Sequence, residues 1–253
     1  MALYRSNAVV LRNRNIGEAD RILLLLSEDH GKFEAVVKGA RRGRSRFVGN
    51  TLPFNYLKAM FCTGKSLDIL SQAELLHSFA SLREDLDKMA YASFWAELID
   101  GFVPERQESR EIFRFVLAAF LVLEQSESPE LLNLAFQARL LNYLGYCPVA
   151  ATCAGCGQAI PAEIEGECYF SAAAGGALCP TCRLRERDFL AVTITALKTM
   201  TQLVNADIRQ LHTLAINPTD FQILRRILRV FIEYRLEKPL KSLVFLDSIL
   251  APG

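Results

Sequence analysis

The sequence predicts an α+β chain of several parts: a small β barrel first, then a mainly helical region interrupted by a short cysteine-bearing insertion. Three observations carry this reading. Short apolar stretches with strand-like alternation recur through the first 78 residues, and after Ser78 the apolar residues return at three- and four-residue steps. Four of the seven cysteines fall in two close pairs. With 253 residues, 51% of them hydrophobic and 23% charged, the chain has material for a sizeable core.

The strands come first. Ala8 to Leu11 is apolar and β-branched before Arg12 and Arg14 alternate outward; Arg21 to Ser27 is a run of Ile and Leu; Lys32 to Lys38 carries Phe33, Val36 and Val37. Phe54 to Cys62 and Leu67 to Leu76 follow, joined by the turn-forming set Thr63-Gly64-Lys65-Ser66. Five short strands with turn signals between them and a basic, aromatic-bearing surface fit a five-stranded OB-fold barrel over residues 1–78.

Residues 79–253 read as a helical domain. Leu82, Leu86, Met89, Ala90, Phe94, Leu98 and Ile99 form one stripe, closed by Gly101 and Pro104. A second helix runs from about Ser109 to Gln125, and a third starts at Ser128 with Pro129 in its first turn and ends near Gly145; the three are expected to pack as a bundle. Further helices are expected over Thr193 to Asn205, from Asn217 and Pro218 to the stop at Pro239, and over Ser242 to Leu250. On the longest, Arg225, Arg226, Arg229 and Arg235 lie off the apolar stripe and read as a solvated face or a secondary partner surface.

Inside this region, over residues 150–187, lie Cys153-Ala-Gly-Cys156 and Cys179-Pro-Thr-Cys182, with 22 residues between the pairs. A two-residue spacer lets both thiolates of a pair reach one tetrahedral ion, and four such ligands make the closed shell of a structural zinc ribbon, with one Zn2+ per chain. Glu167 to Phe170 is expected to supply a strand between the pairs. A thioredoxin-like redox pair would need a helix N-terminus and a βαβ setting, which neither pair has. Cys62 and Cys147 read as small core residues and Cys168 as a spare thiol.

Charge is distributed unevenly although the formal net charge is only +1. Residues 1–65 hold 12 Lys and Arg against 5 Asp and Glu, and the other 188 hold 17 against 23. The densest stretch is Lys38-Gly39-Ala40-Arg41-Arg42-Gly43-Arg44-Ser45-Arg46, where five of nine residues are cationic and none is acidic. Such a segment suits a polyanion, and its glycines are expected to keep the backbone adaptable, so it reads as a phosphate-binding loop. No apolar run approaches the roughly 20 residues of a membrane helix, and the N-terminus has no apolar signal core, so a cytoplasmic location is expected.

An ordered series of local matches resembles the RecO family of bacterial recombination-repair mediators. It comprises Ala8-Val-Val-Leu-Arg12, Gly17-Glu-Ala-Asp-Arg-Ile22, Gly31-Lys32, Lys38-Gly-Ala-Arg-Arg42, Ser45-Arg46, Leu52-Pro-Phe54, Gly64-Lys65 and Ala73-Glu74. Leu82-Arg83-x-Asp85-Leu86, Leu144-Gly-Tyr146 and Lys238-Pro-Leu-Lys-Ser242-Leu243 extend it to the tail. The resemblance implies an N-terminal OB-fold, a helical domain and a zinc-binding segment in a non-enzymatic, nucleoid-associated DNA-repair protein of the RecFOR pathway. Members bind single- and double-stranded DNA, anneal complementary strands and, with RecR, help RecA onto DNA coated by single-strand-binding protein, whose acidic C-terminal tail they recognise.

The residues expected to contact phosphate are Arg12, Arg14, Lys32, Lys38, Arg41, Arg42, Arg44, Arg46 and Lys65; Lys32 and Lys38 match basic third-strand positions of the family. Phe33, Phe47 and Tyr56 are candidates for base stacking, with the barrel core as the alternative place for each. Two other functions compete. A protein-interaction scaffold would use the same basic surface for acidic tails. A nucleic-acid-processing enzyme would need clustered carboxylates for Mg2+, and the basic region offers only Glu18 with Asp20.

Overall fold

A computed structural model describes residues 2–160 and 168–250. Five strands, β1 (Leu3–Ile16), β2 (Asp20–Ser27), β3 (Gly31–Val37), β4 (Tyr56–Cys62) and β5 (Asp68–His77), close a barrel in the order β1-β2-β3-β5-β4. All neighbours are antiparallel except β3 and β5, which pair in parallel through Ala35 with Asp68 and Val36 with Ile69. This is the five-stranded OB-type barrel the spacing predicts. Strand alternation sends Ala8, Val10, Leu23, Leu25, Phe33, Ala35, Leu57, Ala59, Phe61 and Leu70 into one core.

The barrel shares its compact unit with helices α1 (Ala80–Glu84), α2 (Leu86–Phe102) and α3 (Arg110–Gln125) and with the tail from Lys241. Asp85 caps α2 through the Lys88 N–H and Ser109 caps α3 through the Ile112 N–H. Trp95 of α2 stacks on Phe120 of α3 at 6.0 Å between ring centroids, and Phe54 and Phe79 meet Phe120 edge-on. The continuous apolar run of β2 now has its explanation. Leu23 and Leu25 face the barrel core while Ile22, Leu24 and Leu26, on the other face, are also buried. Helix α2 packs against β1, with Ser93 and Ala96 across from Leu11 and Leu24. At the start of β3, Gly31 has φ +64°, and a Cβ there would lie 2.1 Å from the Gln107 carbonyl oxygen; only glycine lets the segment after α2 approach this closely.

One ion cluster closes the barrel between the β4–β5 turn and β1. Asp68 is 2% exposed and accepts from Tyr4 Oη, from Arg106 at 2.8 Å and from the Gly64 N–H at 3.2 Å. Arg106 lies over the Phe33 ring at 4.6 Å. Burial by itself would raise the Asp68 carboxyl, but the bonds from Arg106, Tyr4 and Gly64 outweigh it and hold the group below its ordinary value. A carboxylate depressed in this way adds stability that is complete above the unfolded value near pH 4 and is lost as pH falls through the folded one. Asp68→Asn is therefore expected to cost about 2 kcal/mol near neutrality, discounted for the half-exposed Arg106, and to flatten the acid limb of stability below about pH 4. Denaturant melts of both forms across that range check it.

The second unit spans residues 128–240. It holds α4 (Pro129–Tyr143), strands β6 (Cys168–Ser171) and β7 (Gly176–Leu178), the short α5 (Pro180–Arg183), β8 (Leu190–Val192), α6 (Ile194–Asn205), a 3-10 turn at Ile208–Thr213 and α7 (Pro218–Leu236). Helix α8 (Lys241–Leu250) belongs to the first unit, where Glu97 accepts from the Lys241 and Ser242 N–H groups and so caps it. Helix α4, which sequence reasoning groups with α2 and α3, packs in the second unit against α6 and α7. Thr193 caps α6 and Asn217 caps α7, as read from the sequence. The strand expected over residues 167–170 is β6; Glu167 itself lies outside the described residues. Among the described residues no helix is long and apolar enough to cross a membrane.

Candidate nucleic-acid interface and metal centre

The basic loop spans the gap between β3 and β4, and its backbone is hydrogen-bonded along its length. Asp20, at the start of β2, accepts from the Gly39 N–H and from Lys38 Nζ, both at 2.8 Å, and the Lys38 bond, followed by the Gly39 bond, draws its carboxyl below the ordinary value. Arg41 N–H donates to Ala19 O, Ser45 N–H to Arg42 O and Thr51 N–H to Phe47 O. Ala40 and Phe47 are buried with the barrel core. Gly39, with φ +65°, supplies the left-handed turn that starts the loop. Gly39 thus opens a pinned loop where an adaptable one is expected, and Asp20 holds its start.

Pinning the backbone turns the cations outward. Arg41, Arg42, Arg44 and Arg46 are exposed. Arg41 donates to Gly17 O at 3.3 Å, and Arg46 donates to Ser71 O at 2.8 Å while lying over the Phe47 ring. Both partners are neutral, so the two charges stay uncompensated. Arg42, Arg44 and the exposed Lys65 of the β4–β5 turn have no side-chain bond or ion pair among the described residues.

The other expected contacts differ. Arg12 pairs with Asp100 at 2.9 Å, Arg14 with Glu34 at 3.1 Å and Lys38 with Asp20 at 2.8 Å. Their side chains are 58%, 54% and 68% exposed, and such pairs are worth about 0–1 kcal/mol, so a phosphate can displace the carboxylate at small cost. Lys32 is another matter. It is 5% exposed, and its Nζ donates to the Asp100 carbonyl at 2.5 Å, near the C-terminal end of α2. Helix α2 occupies the place a phosphate would need, and Lys32 is a structural cation. Lys32→Ala is expected to cost about 1–2 kcal/mol of stability, which thermal melting resolves.

Of the stacking candidates, two take the place in the barrel core that competes with stacking. Phe33 is 2% and Phe47 8% exposed, both in the barrel core, because each sits at an inward position fixed by the barrel's closure. Tyr56 is half-buried, its ring 6.1 Å from Phe113. Two cations went unnoticed in the sequence. Arg5 and Lys58 point outward on β1 and β4 and, with Arg46, line a groove of about 500 Å3. The alternation Leu57, Lys58, Ala59, Met60, Phe61 signals that Lys58 faces out, but its nearness to Arg5 depends on register.

In the second unit the four sulfurs of Cys153, Cys156, Cys179 and Cys182 lie within 4.8 Å of one another, close to the roughly 3.8 Å separation of four thiolates around a tetrahedral ion with 2.3 Å bonds. Cys179 N–H donates to Cys153 Sγ at 3.3 Å and Cys182 N–H to Cys179 Sγ at 3.4 Å. A Cβ on Gly155 would come 3.1 Å from Cys182 Sγ, so the first turn is tight against the second. Burial raises the Cys153 thiol, but N–H bonds from Cys179, Gly155 and Cys156 outweigh this and draw it down to about 6. Hydrogen bonding to Cys179, with burial and the other sulfurs, pushes Cys182 up to about 12. Four thiolates this close repel one another unless a dication joins them, and the set fits a metal ion of zinc's coordination chemistry. Among the described residues it is the one such cluster of three or more potential ligands.

Comparison with known proteins covers nearly the whole chain. Residues 1–79 match the family model described as Recombination protein O N terminal, and residues 83–244 match Recombination protein O C terminal. A DNA repair protein RecO from Symbiobacterium thermophilum is 40% identical over 250 residues, 98% of each chain. One from Pelotomaculum thermopropionicum is 36% identical over 98% of this chain and 94% of its own, and one from Desulforamulus reducens is 33% identical over 98% and 96%.

Proposed function

Because the chain belongs to the RecO family of DNA repair proteins, we propose that it binds single- and double-stranded DNA without sequence preference and anneals complementary strands. The observation that carries this reading is the pinned loop whose arginines Arg41, Arg42, Arg44 and Arg46 are exposed and make no ion pair among the described residues. Together with Lys65 they form the primary phosphate surface; Arg12, Arg14 and Lys38 join by exchanging a weak ion pair for a phosphate.

Each phosphate neutralised releases condensed counterions, so affinity arises without base contacts. Annealing requires this combination, because two strands must be brought close with their mutual repulsion screened while their base edges stay free to pair. The four cysteines hold one Zn2+, which folds residues around the two turns and takes no part in DNA chemistry, since four thiolates leave no position for water. RecR, the acidic C-terminal tail of single-strand-binding protein and, indirectly, the RecA filament are the partners that family membership suggests, and the protein acts in the cytoplasm at the nucleoid. No turnover belongs to this role. Three carboxylates of the barrel unit are engaged by cations, Asp20 by Lys38, Asp100 by Arg12, and Asp68 by Arg106.

Annealing of two complementary oligonucleotides, followed by fluorescence without nucleotide cofactor or Mg2+, tests the proposal. The expected result is pairing accelerated over the protein-free rate and suppressed by salt. Mg2+-dependent strand cleavage that survives repurification, or binding of acidic peptides with no acceleration of pairing, would contradict it.

A further inference from the structure

Resting on the DNA-binding reading, we propose that the groove over β1, β4 and β5 is a phosphate subsite for the backbone of a single strand, continuous with the basic loop. Arg46 belongs to both: it is the last arginine of the loop and lines the groove with Arg5 and Lys58. The barrel register builds the remainder. Arg5 lies opposite Met60 and Lys58 opposite Asn7, so the two outward cations sit diagonally on adjacent strands, roughly 7–8 Å apart at the backbone, a spacing that suits successive phosphates of an extended strand.

Availability separates these cations from others of the same unit. Arg5 and Lys58 have no side-chain hydrogen bond or ion pair among the described residues, although Glu74 faces Lys58 in the β4–β5 register. Arg12, Arg14, Lys38, Arg110 and Arg114, by contrast, each lie within 4.0 Å of a carboxylate. Three cations against the single carboxylate of Glu74 leave the groove positive, with Met60 and Ala73 as an apolar floor for sugar or base. The outer face of β1 and β2 is closed by α2, which leaves this face open to a ligand. A flexible single strand can bring successive phosphates to cations at this spacing, whereas a stiff duplex holds its phosphates where its own helix sets them.

The test is the salt dependence of oligo(dT) binding by the full chain. Arg5→Ala with Lys58→Ala is expected to reduce the slope of log affinity against log salt by about 1.4, two single-strand phosphates. The charge-matched control Arg110→Ala with Arg114→Ala, which removes two arginines of α3 that do not line the groove, is expected to leave the slope unchanged. Glu74→Gln is expected to tighten oligo(dT) binding about threefold. An unchanged slope in the groove variant, an equal drop in the control, no tightening by Glu74→Gln, or an equal loss on duplex would overturn the subsite. If loss of the loop arginines flattens the slope while the groove variant does not, the subsite falls and the DNA-binding reading stands; if neither does, the reading itself falls.

Discussion

Replacing Arg41, Arg42, Arg44 and Arg46 together with alanine is expected to reduce the salt slope of single-strand binding by about 2.8, at roughly 0.7 per phosphate contact. In practical terms, the affinity lost between 50 and 200 mM salt shrinks by a factor of roughly 50 relative to the unaltered chain. The effect is large because none of the four arginines makes an ion pair: Arg41 and Arg46 donate to carbonyl oxygens, and the nearby carboxylate of Asp20 is taken by Lys38. Fold stability is expected to change little. The loop is held by Asp20, by backbone bonds and by the buried Ala40 and Phe47, and the four substitutions leave those in place. Melting distinguishes this from a collapse of the barrel, and a slope unchanged in the folded variant would remove the loop from the DNA surface.

The second large effect concerns the cysteine cluster. Purified chain is expected to carry one zinc by elemental analysis. Removing it with a chelator, or replacing Cys153 with serine, is expected to unfold the segment around β6 and β7. Metal binding in small four-ligand modules contributes about 10–16 kcal/mol, more than three short strands can supply from packing. The short strands are otherwise held by few elements: β6 pairs with β7 and β8 over three residues each. Rapid hydrogen exchange and new protease cleavage between Val149 and Val192 are the expected readouts. A metal-free chain with unchanged exchange there would show that the four thiols are not a metal site.

Much of this architecture was legible in the sequence, for identifiable reasons. Strand alternation and helical period report burial directly, so five strands and the long helices stand out, and capping residues such as Ser109, Thr193 and Asn217 mark helix starts. The cysteine pairs are legible because ligand spacing is a local property. What escaped depends on contacts distant in sequence. Lys32 reads as a surface cation until Asp100, 68 residues away, takes its ammonium. The apolar run in β2 announces a strand buried on both faces, yet nothing local says that helix α2 lies over that side of the sheet. Phe33 and Phe47 could be placed inside only by closing the barrel. Arg5 and Lys58 met only through the β1–β4 register, and their value comes from the absence of an acidic partner, which no spacing reveals. Charge alone therefore overestimated one part of the surface and missed another: it counted paired and buried cations equally with free ones.

Whether free cations on the barrel hold DNA by its phosphates is decided by the salt dependence of oligo(dT) affinity for the full chain. The full chain is the right object because a fragment ending at Ser78 would lack α2 and expose the outer face of β1 and β2. The expected result is a straight log–log line with a slope between about −3 and −5, reproduced by mixed-sequence strands. A slope within about 1 of zero, or an affinity that follows base sequence, would contradict it.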